Sequence, residues 1–433
     1  MVEGESRMII TMAIDLYGDK NNGTTVTAVR TCEQLVKLGH EVRVIAHIPS
    51  MKLGIGEFKG VKVLNCKKLS IHPFEWLIES QGFKFGNTDY KSIAEFIKGS
   101  DVVHVMFPFL LESKVRKVAK VMGIPVTGAY HLQPENITYT IHMGKIGFVN
   151  SFVYSLFKNW VYKYIRTIHT PSLTMKNEML DHDYKGNIYA ISNGVSTYMH
   201  PIECLRPDEY KDKYLITMVG RLSGEKRQDL IIKAIGHSKY NDKIQLILCG
   251  QGPKRKTYLK LAKKYLKNPL QIKFVKQEQL REILNYTDLY VHASDIESEA
   301  IACIEAFACG AVPVISNSRF TATRFFSLDE HCLFEGGNYH SLQEKIEFFI
   351  ENEDYKKQLS TKYIESAKTF ALEEKVKELE KMFEDEIKLD KEDKENNRTY
   401  FSSKKERRKL KKIAKKISLD KPYIYKDDIY HSK

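Results

Sequence analysis

The chain has 433 residues, 42% hydrophobic and 11% aromatic, with 68 Lys and Arg against 55 Asp and Glu for a formal net charge of +13. That composition fills ordinary cores and excludes bulk disorder, and the length predicts two domains or three. Seven Cys without a C-x-x-C pair or zinc-type spacing read as reduced, mostly buried thiols of a cytoplasmic protein. The start of the chain, 1–7, is charged and has no apolar segment with a cleavage site behind it, so no signal peptide is expected. No window offers the ~18 uninterrupted apolar residues of a spanning helix. The nearest stretch, 146–165, is broken by polar residues and reads as soluble or interfacial.

In chain order, a strand over 8–13 leads into a polar, glycine-bearing loop over 15–25, a helix over 26–38 closed by Gly39, and a strand over 41–47. The same grammar returns as a strand over 101–107, a helix over 111–122 stopped by Gly123, and a strand over 125–130. Near Tyr214 a second series begins, with strands over 215–219, 245–249, 271–275, 289–292 and 312–316. Helices over 228–237, 254–266, 279–286 and 300–308 alternate with them. Strands alternating with helices predict parallel, doubly wound sheets. The expected fold class is therefore α/β, with two Rossmann-like domains in tandem, a cleft between them, and a basic helical tail. The expected spans are 1–195, 196–389 and 390–433, with the first boundary in the Asn-Gly and Pro-bearing stretch 192–208. The carboxyl ends of such strands are where open α/β sheets place ligands.

The strand ending at Val219 runs into G-R-L-S-G-E-K-R (Gly220 to Arg227) and then a helix. Gly220 allows close backbone approach, and Arg221 and Lys226 put two cations beside helix N–H groups that favour anions, the pattern of a diphosphate clamp. The plainer reading is two surface charges on a strand-to-helix loop. After the next strand, C-G-Q-G-P places Gly250 and Gly252 in a tight turn that lets backbone amides meet a ligand, or simply turns the chain. The densest constellation runs from Ser294 to Ile315. Glu297 lies in the loop after the strand 289–292, and Glu305 follows eight residues later in a helix that Gly310 ends. Carboxylates accept hydrogen bonds from sugar and ribose hydroxyls. A buried, unpaired Glu305 among its apolar neighbours would be costly.

Taken in order, N-G-V (Asn193 to Val195), G-R-L-S-G-E-K-R, C-G-Q-G-P and E-x7-E-A-F-A-C-G-A-V-P-V resemble retaining nucleotide-sugar glycosyltransferases of the GT-B fold, over most of residues 8–387. The resemblance implies that Arg221 and Lys226 hold the donor diphosphate. It assigns Glu305 to the nucleotide ribose and Glu297 to the hydroxyls of the transferred sugar, with Gly250 and Gly252 close by. Glu299, Ala300 and Ile301 would present backbone to the sugar, and Gly23 would let the first loop approach the donor phosphate and the acceptor. His131, in A-Y-H-L-Q-P, stands where the family's cleft histidine orients the reacting sugar, which makes His131 and Glu297 the implied catalytic pair. Two positions depart from the family pattern: its glycine–aromatic–glycine is Ser298-Glu299-Ala300 here, and the acid after N-G-V is Ser196. No D-x-D flanked by strands and no His/Asp cluster with metal spacing is present, so no metal and no cofactor beyond the nucleotide sugar is expected.

The charge is unevenly placed: 402–418 holds nine Lys or Arg and one acid, eight of the thirteen net charges. Within it Leu410, Ile413, Ala414 and Ile417 recur at helical spacing, which suits an anionic membrane surface, a solvated tail or a helix docked on another protein. The stretch 148–165 interleaves Phe152, Tyr154, Phe157, Trp160, Tyr162 and Tyr164 with Lys158 and Lys163, which fits a membrane-facing or a core helix. Together with A-Y-H-L-Q-P-E-N and S-R-F-T-A-T-R-F-F (Ser318 to Phe326), which look like the diacylglycerol glucosyltransferase branch, these features lead to a lipid acceptor and a peripheral enzyme on the inner face of the membrane. A soluble or polymer-linked saccharide acceptor and a sugar-nucleotide epimerase are the alternatives. A nucleic-acid partner is not expected, because the basic excess is terminal rather than spread along a groove.

Overall fold

The computed structural model describes residues 7–18, 23–70, 72, 75, 84–135, 138 and 147–431. The chain divides into two compact units, 1–193 with 375–433, and 194–374. The second unit ends at 374 where the expected domain ran to 389, and the expected basic tail, 390–433, belongs to the first unit.

In the first unit the order is β1 (Ile9–Leu16), α1 (Gly23–Lys37), β2 (Glu41–His47), β3 (Gly54–Phe58), β4 (Val61–Asn65), β5 (Lys67–Leu69), β6 (Phe85–Asn87), α2 (Tyr90–Ile97), β7 (Val102–Val105), α3 (Leu110–Met122), β8 (Val126–Ala129), α4 (Gly147–Trp160), β9 (Thr167–Thr170), α5 (Leu173–Asp181) and β10 (Asn187–Ala190). Its main sheet runs β10-β9-β8-β7-β1-β2-β4-β3, parallel except for the edge strand β3. β1 and β7 are apolar with little alternation because a parallel strand between helical layers is buried on both faces. α3 ends where Gly123, at φ 72°, returns its N–H to the Ala119 carbonyl.

The second unit continues with β11 (Tyr214–Val219), α6 (Gln228–His237), β12 (Ile244–Cys249), α7 (Arg255–Tyr265), β13 (Gln271–Lys273), α8 (Gln277–Asn285), β14 (Leu289–His292), β15 (Ile296–Glu297), α9 (Ile301–Ala308), β16 (Pro313–Ser316), β17 (Phe320–Thr321), β18 (Leu333–Phe334), α10 (Tyr339–Glu351) and α11 (Glu353–Ala367). Six parallel strands form its sheet in the order β13-β12-β11-β14-β16-β18. The order reverses between β11 and β14, the switch point at which ligands seat in such sheets.

α12 (Leu372–Glu395), β19 (Arg398–Thr399), α13 (Lys404–Lys416) and β20 (Asp427–Asp428) complete the chain. Buried ion pairs of Arg166 and Arg116 and a His40 hydrogen bond tie this extension to the first unit. Arg166 donates to both oxygens of Glu386 (3.1 and 3.0 Å) and to Asp393 (2.7 Å), His40 meets Glu380 at 2.8 Å, and Arg116 meets Glu406 at 2.9 Å. The apolar stripe of α13 is covered: Leu410, Ile413 and Ala414 are buried, and α13 packs on α3. The stripe packs on the chain's own first unit, an outcome none of the three readings of this helix named, while Lys404, Lys405, Arg408, Lys409, Lys411, Lys412, Lys415 and Lys416 stay exposed.

Candidate functional site

Three neighbouring parallel strands, β12, β11 and β14, deliver the second unit's candidate residues to one edge of its sheet. The loop after β11 carries Arg221 and Lys226, the loop after β12 carries Gly250 and Gly252, and the segment after β14 carries Glu297, Glu299, Ala300 and Ile301, with Glu305 in α9. His131, just beyond β8, and Gly23, the first residue of α1, belong to the first unit. The intervening 19–22 of the first loop lie outside the described residues.

The loop after β11 is fixed on several sides. Gly220 N–H donates to the Cys249 carbonyl (3.0 Å), Leu222 N–H to that of Gln251 (2.9 Å), and Gln228 Nε2 to that of Arg221 (2.9 Å). A Cβ on Gly250 would stand 2.0 Å from the Gly220 carbonyl oxygen, and one on Gly252 would stand 2.4 Å from that of Leu222. Contact between two loop backbones is therefore reason enough for both glycines. Arg227, at φ 53°, reaches across with Nη1 to Asp295 (3.1 and 2.9 Å) and with Nε to Asp229 (3.2 Å), while Asp295 N–H donates to the Glu225 carbonyl (2.8 Å). That lattice locks the loops after β11 and β14 together across the switch point.

Across this junction Lys226 Nζ forms an ion pair with Glu297 Oε2. His292 Nε2 sits 3.2 Å from the same oxygen, Ser294 Oγ is 3.2 Å from that nitrogen, and Tyr290 Oη is 3.3 Å from His292 Nδ1. Burial by itself would raise the Glu297 carboxyl, but the Lys226 ammonium and the His292 hydrogen bond overcome it and hold the group down at about 2. At neutral pH Glu297 is a carboxylate that accepts hydrogen bonds from hydroxyls and has no proton to give. Lys226 is the cation within its reach.

α9 begins abruptly. Ala300 occupies the left-handed region at φ 63°, ψ 66°, the position where the resembled family carries glycine. A Cβ there is strained by about 1 kcal/mol. The conformation turns the chain from the Glu297 segment into the first turn of α9, where Cys303 N–H donates to the Ala300 carbonyl (2.9 Å). Glu299 and Glu305 are both buried at this end of the sheet. N-G-V stands apart from the edge: Gly194, at φ 74°, packs on Leu372, Val195 N–H donates to the Phe370 carbonyl (2.7 Å), and Ser196 Oγ accepts from Tyr198 N–H (3.3 Å).

In the first unit His131 is buried, its ring 5.1 Å edge-on to that of His169, and its Nε2 has no partner among the described residues. Burial, and then His169 and His104, push it well below the usual histidine range, so it is neutral. It can position a hydroxyl and does not act as a cation. Sequence reasoning passed over Arg227, Asp295 and His292. Arg227 closes the G-R-L-S-G-E-K-R motif and His292 ends a predicted strand, so the positions were in view, but their partners lie 68 and 5 residues away.

Residues 206–370 match the family described as "Glycosyl transferases group 1", and 21–198 match "Glycosyltransferase Family 4". Between them they take in most of the chain. It is a glycosyltransferase. The chain is 25% identical over 310 residues to a GDP-mannose-dependent alpha-mannosyltransferase of Corynebacterium glutamicum, covering 68% of each chain. It is 23% identical over 315 residues to the alpha-monoglucosyldiacylglycerol synthase of Acholeplasma laidlawii, covering 68% of this chain and 76% of that one. Among solved structures, the sucrose-phosphate synthase of Thermosynechococcus elongatus aligns at a TM-score of 0.68 and 15% identity, over 88% of this chain and 99% of that one, which shows the shared GT-B fold. The glycosyltransferase moves sugar from a nucleotide sugar to an acceptor, and no described helix is long and apolar enough to cross a membrane.

Proposed function

We propose that this glycosyltransferase is a retaining, metal-independent hexosyltransferase that glycosylates a membrane lipid, diacylglycerol foremost, while docked on an anionic bilayer. Arg221 and Lys226, with the N-terminal end of α9, supply the positive field for the departing nucleotide diphosphate, so the reading needs no metal there. Donor binding draws Lys226 toward phosphate and leaves the Glu297 carboxylate to hold sugar hydroxyls. Glu305 takes the ribose, and the backbone of Glu299 to Ile301 lines the sugar. Gly23 and the neutral His131 serve the acceptor side, and the acceptor hydroxyl attacks from the face the diphosphate leaves.

One observation carries the lipid acceptor. α4 buries Asn150, Tyr154 and Phe157 and presents Phe148, Phe152, Leu156 and Trp160 at four-residue spacing, 77, 68, 42 and 44% exposed. Lys158 and Lys163 flank this stripe, and the exposed cations of α13, Lys405 and Lys409 among them, lie close enough to Lys163 to bias its charge. An apolar stripe bordered by cations fits an anionic leaflet, where each basic residue contributes ~1 kcal/mol. The similarity to a glucolipid synthase points the same way.

The experiment supplies UDP- and GDP-hexoses to the protein with diacylglycerol in vesicles containing phosphatidylglycerol. Product mass and anomeric configuration are then read. An α-hexosyl lipid is expected from an α-linked donor, and replacing Phe148, Phe152 and Trp160 together by Ser is expected to lower transfer on vesicles about tenfold while sparing a short-chain, soluble diacylglycerol. Product formed only on soluble saccharides, or an inverted anomer, overturns the proposal.

A further inference from the structure

Between the first unit's sheet layer and the C-terminal extension lies a cavity of about 60 Å³, walled by α3, the start of β8, α12 and the chain around Tyr400 and Tyr423. Its volume suits about four waters or one tetrahedral oxyanion. Five cationic and three acidic side chains line it. Arg166, Lys394 and Arg398 are matched to the three carboxylates: Arg166 to Glu386 and Asp393, Arg398 to Asp393 at 2.8 Å, and Lys394 to Asp390 at 2.5 Å. Two further cations stand on successive turns of α3. Arg116, 1% exposed, gives Nη2 to Glu406 and stacks 4.2 Å above the Tyr164 ring, and its Nε and Nη1 have no partner among the described residues. Lys120 donates to the Phe401 carbonyl (2.7 Å) and has no ion-pair partner among the described residues. The Tyr400 hydroxyl is buried and likewise unpartnered.

Three donors without an acceptor, two of them on a guanidinium 99% removed from solvent, are costly unless an acceptor enters, since each buried unmade hydrogen bond is unfavourable. An anion answers all three at once, and a guanidinium pairs best with a planar or tetrahedral oxyanion. We propose that this cavity is a binding site for a phosphate group, held by Arg116, Lys120 and the Tyr400 hydroxyl, separate from the donor diphosphate and independent of the acceptor reading above. A ligand there touches both α3 and the extension, so it fastens the extension to the unit. Because the exposed cations of α13 lie on the same extension, the phosphate is that of a lipid headgroup or of a soluble phosphate, and the two are separable by experiment.

The test uses the full chain. Thermal shift is followed while inorganic phosphate is titrated against sodium chloride of equal ionic strength, on wild type and on K226M, which removes one of the two cations, Arg221 and Lys226, assigned to the donor diphosphate. A saturable rise in melting temperature is expected in both. K120Q, which can still donate to the Phe401 carbonyl, should raise the half-saturating concentration about tenfold, the worth of one charge-assisted hydrogen bond. Y400F, which removes a single oxygen and keeps the ring, should raise it severalfold and carries the test if K120Q does not fold. Flotation with phosphatidic acid vesicles assigns the source: a preference over phosphatidylglycerol that K120Q and Y400F abolish names the headgroup. Vesicle binding indifferent to both variants, beside a phosphate response that depends on them, names soluble phosphate. No saturable response in K226M, or equal responses in K226M, K120Q and Y400F, overturns the site.

Discussion

Replacing Lys226 by Met tests the junction on which the donor site rests. Glu297 is held at about 2 against an ordinary 4.5, a preference for the ionised form worth about 3 kcal/mol at 1.36 kcal/mol per unit. His292 supplies part of it, so removing the ammonium while leaving a side chain of similar length should cost about 2 kcal/mol at pH 7, as expected when one partner of a largely buried pair is lost. The lowered carboxyl contributes stability above its ordinary value, and that contribution fades as pH falls from about 4.5 toward 2. The gap between wild type and K226M, read from urea melts, should therefore be full at pH 6, reduced to roughly half at pH 3 and nearly closed only at about pH 2. Adding E297Q to K226M removes the stranded charge and should recover at least half of the loss, while transfer from the nucleotide sugar stays down about 100-fold, the scale of a lost electrostatic contact to a leaving group. An equally stable K226M, a gap that does not change with pH, or a double variant no better than the single one refutes the reasoning.

A300G should stabilise the protein by about 1 kcal/mol in thermal melts by relieving the left-handed Ala300, and a loss would mean that the strain at this turn is not real. Asp15 and Glu112 are both buried and lie within hydrogen-bond reach of each other. Burial raises Asp15 to about 7 and Glu112 above its ordinary range. Raised carboxyls give stability that is present in acid and lost as pH climbs through 7, so wild type should weaken from pH 5 to pH 8 and E112Q should flatten that slope in the same melts. L410A and I413A should each cost about 2–4 kcal/mol in urea because α13 is packed rather than free, and unchanged melts would return it to the status of a tail.

Much of the architecture was legible because it is local. Strands such as Glu41–His47 and Leu289–His292, and the helix Gln228–His237, stand where periodicity and turn residues put them. The hairpin β3 to β4 was not read, although Lys59 and Gly60, both at positive φ, mark its two-residue turn. The motif pattern likewise put Arg221, Lys226 and Glu297 in segments that follow strands and Glu305 in a helix, where they stand, since such placements depend on a short stretch of chain.

What the linear order by itself determined is the class of fold, the family resemblance and the placement of most of the charge in one helix. Tertiary structure alone decided what those pieces meet. Arg227 finds Asp295 only when the two loops cross the switch point, and Gly250 is required because another backbone lies against it. The basic helix looked like an appendage because its stripe could pair with a membrane or a protein equally well. Its one acid, Glu406, meets Arg116, 290 residues earlier, and settles where the stripe goes. An amphipathic pattern states that a face will be covered, and it takes the distant partner, with its own buried charge to satisfy, to determine by what.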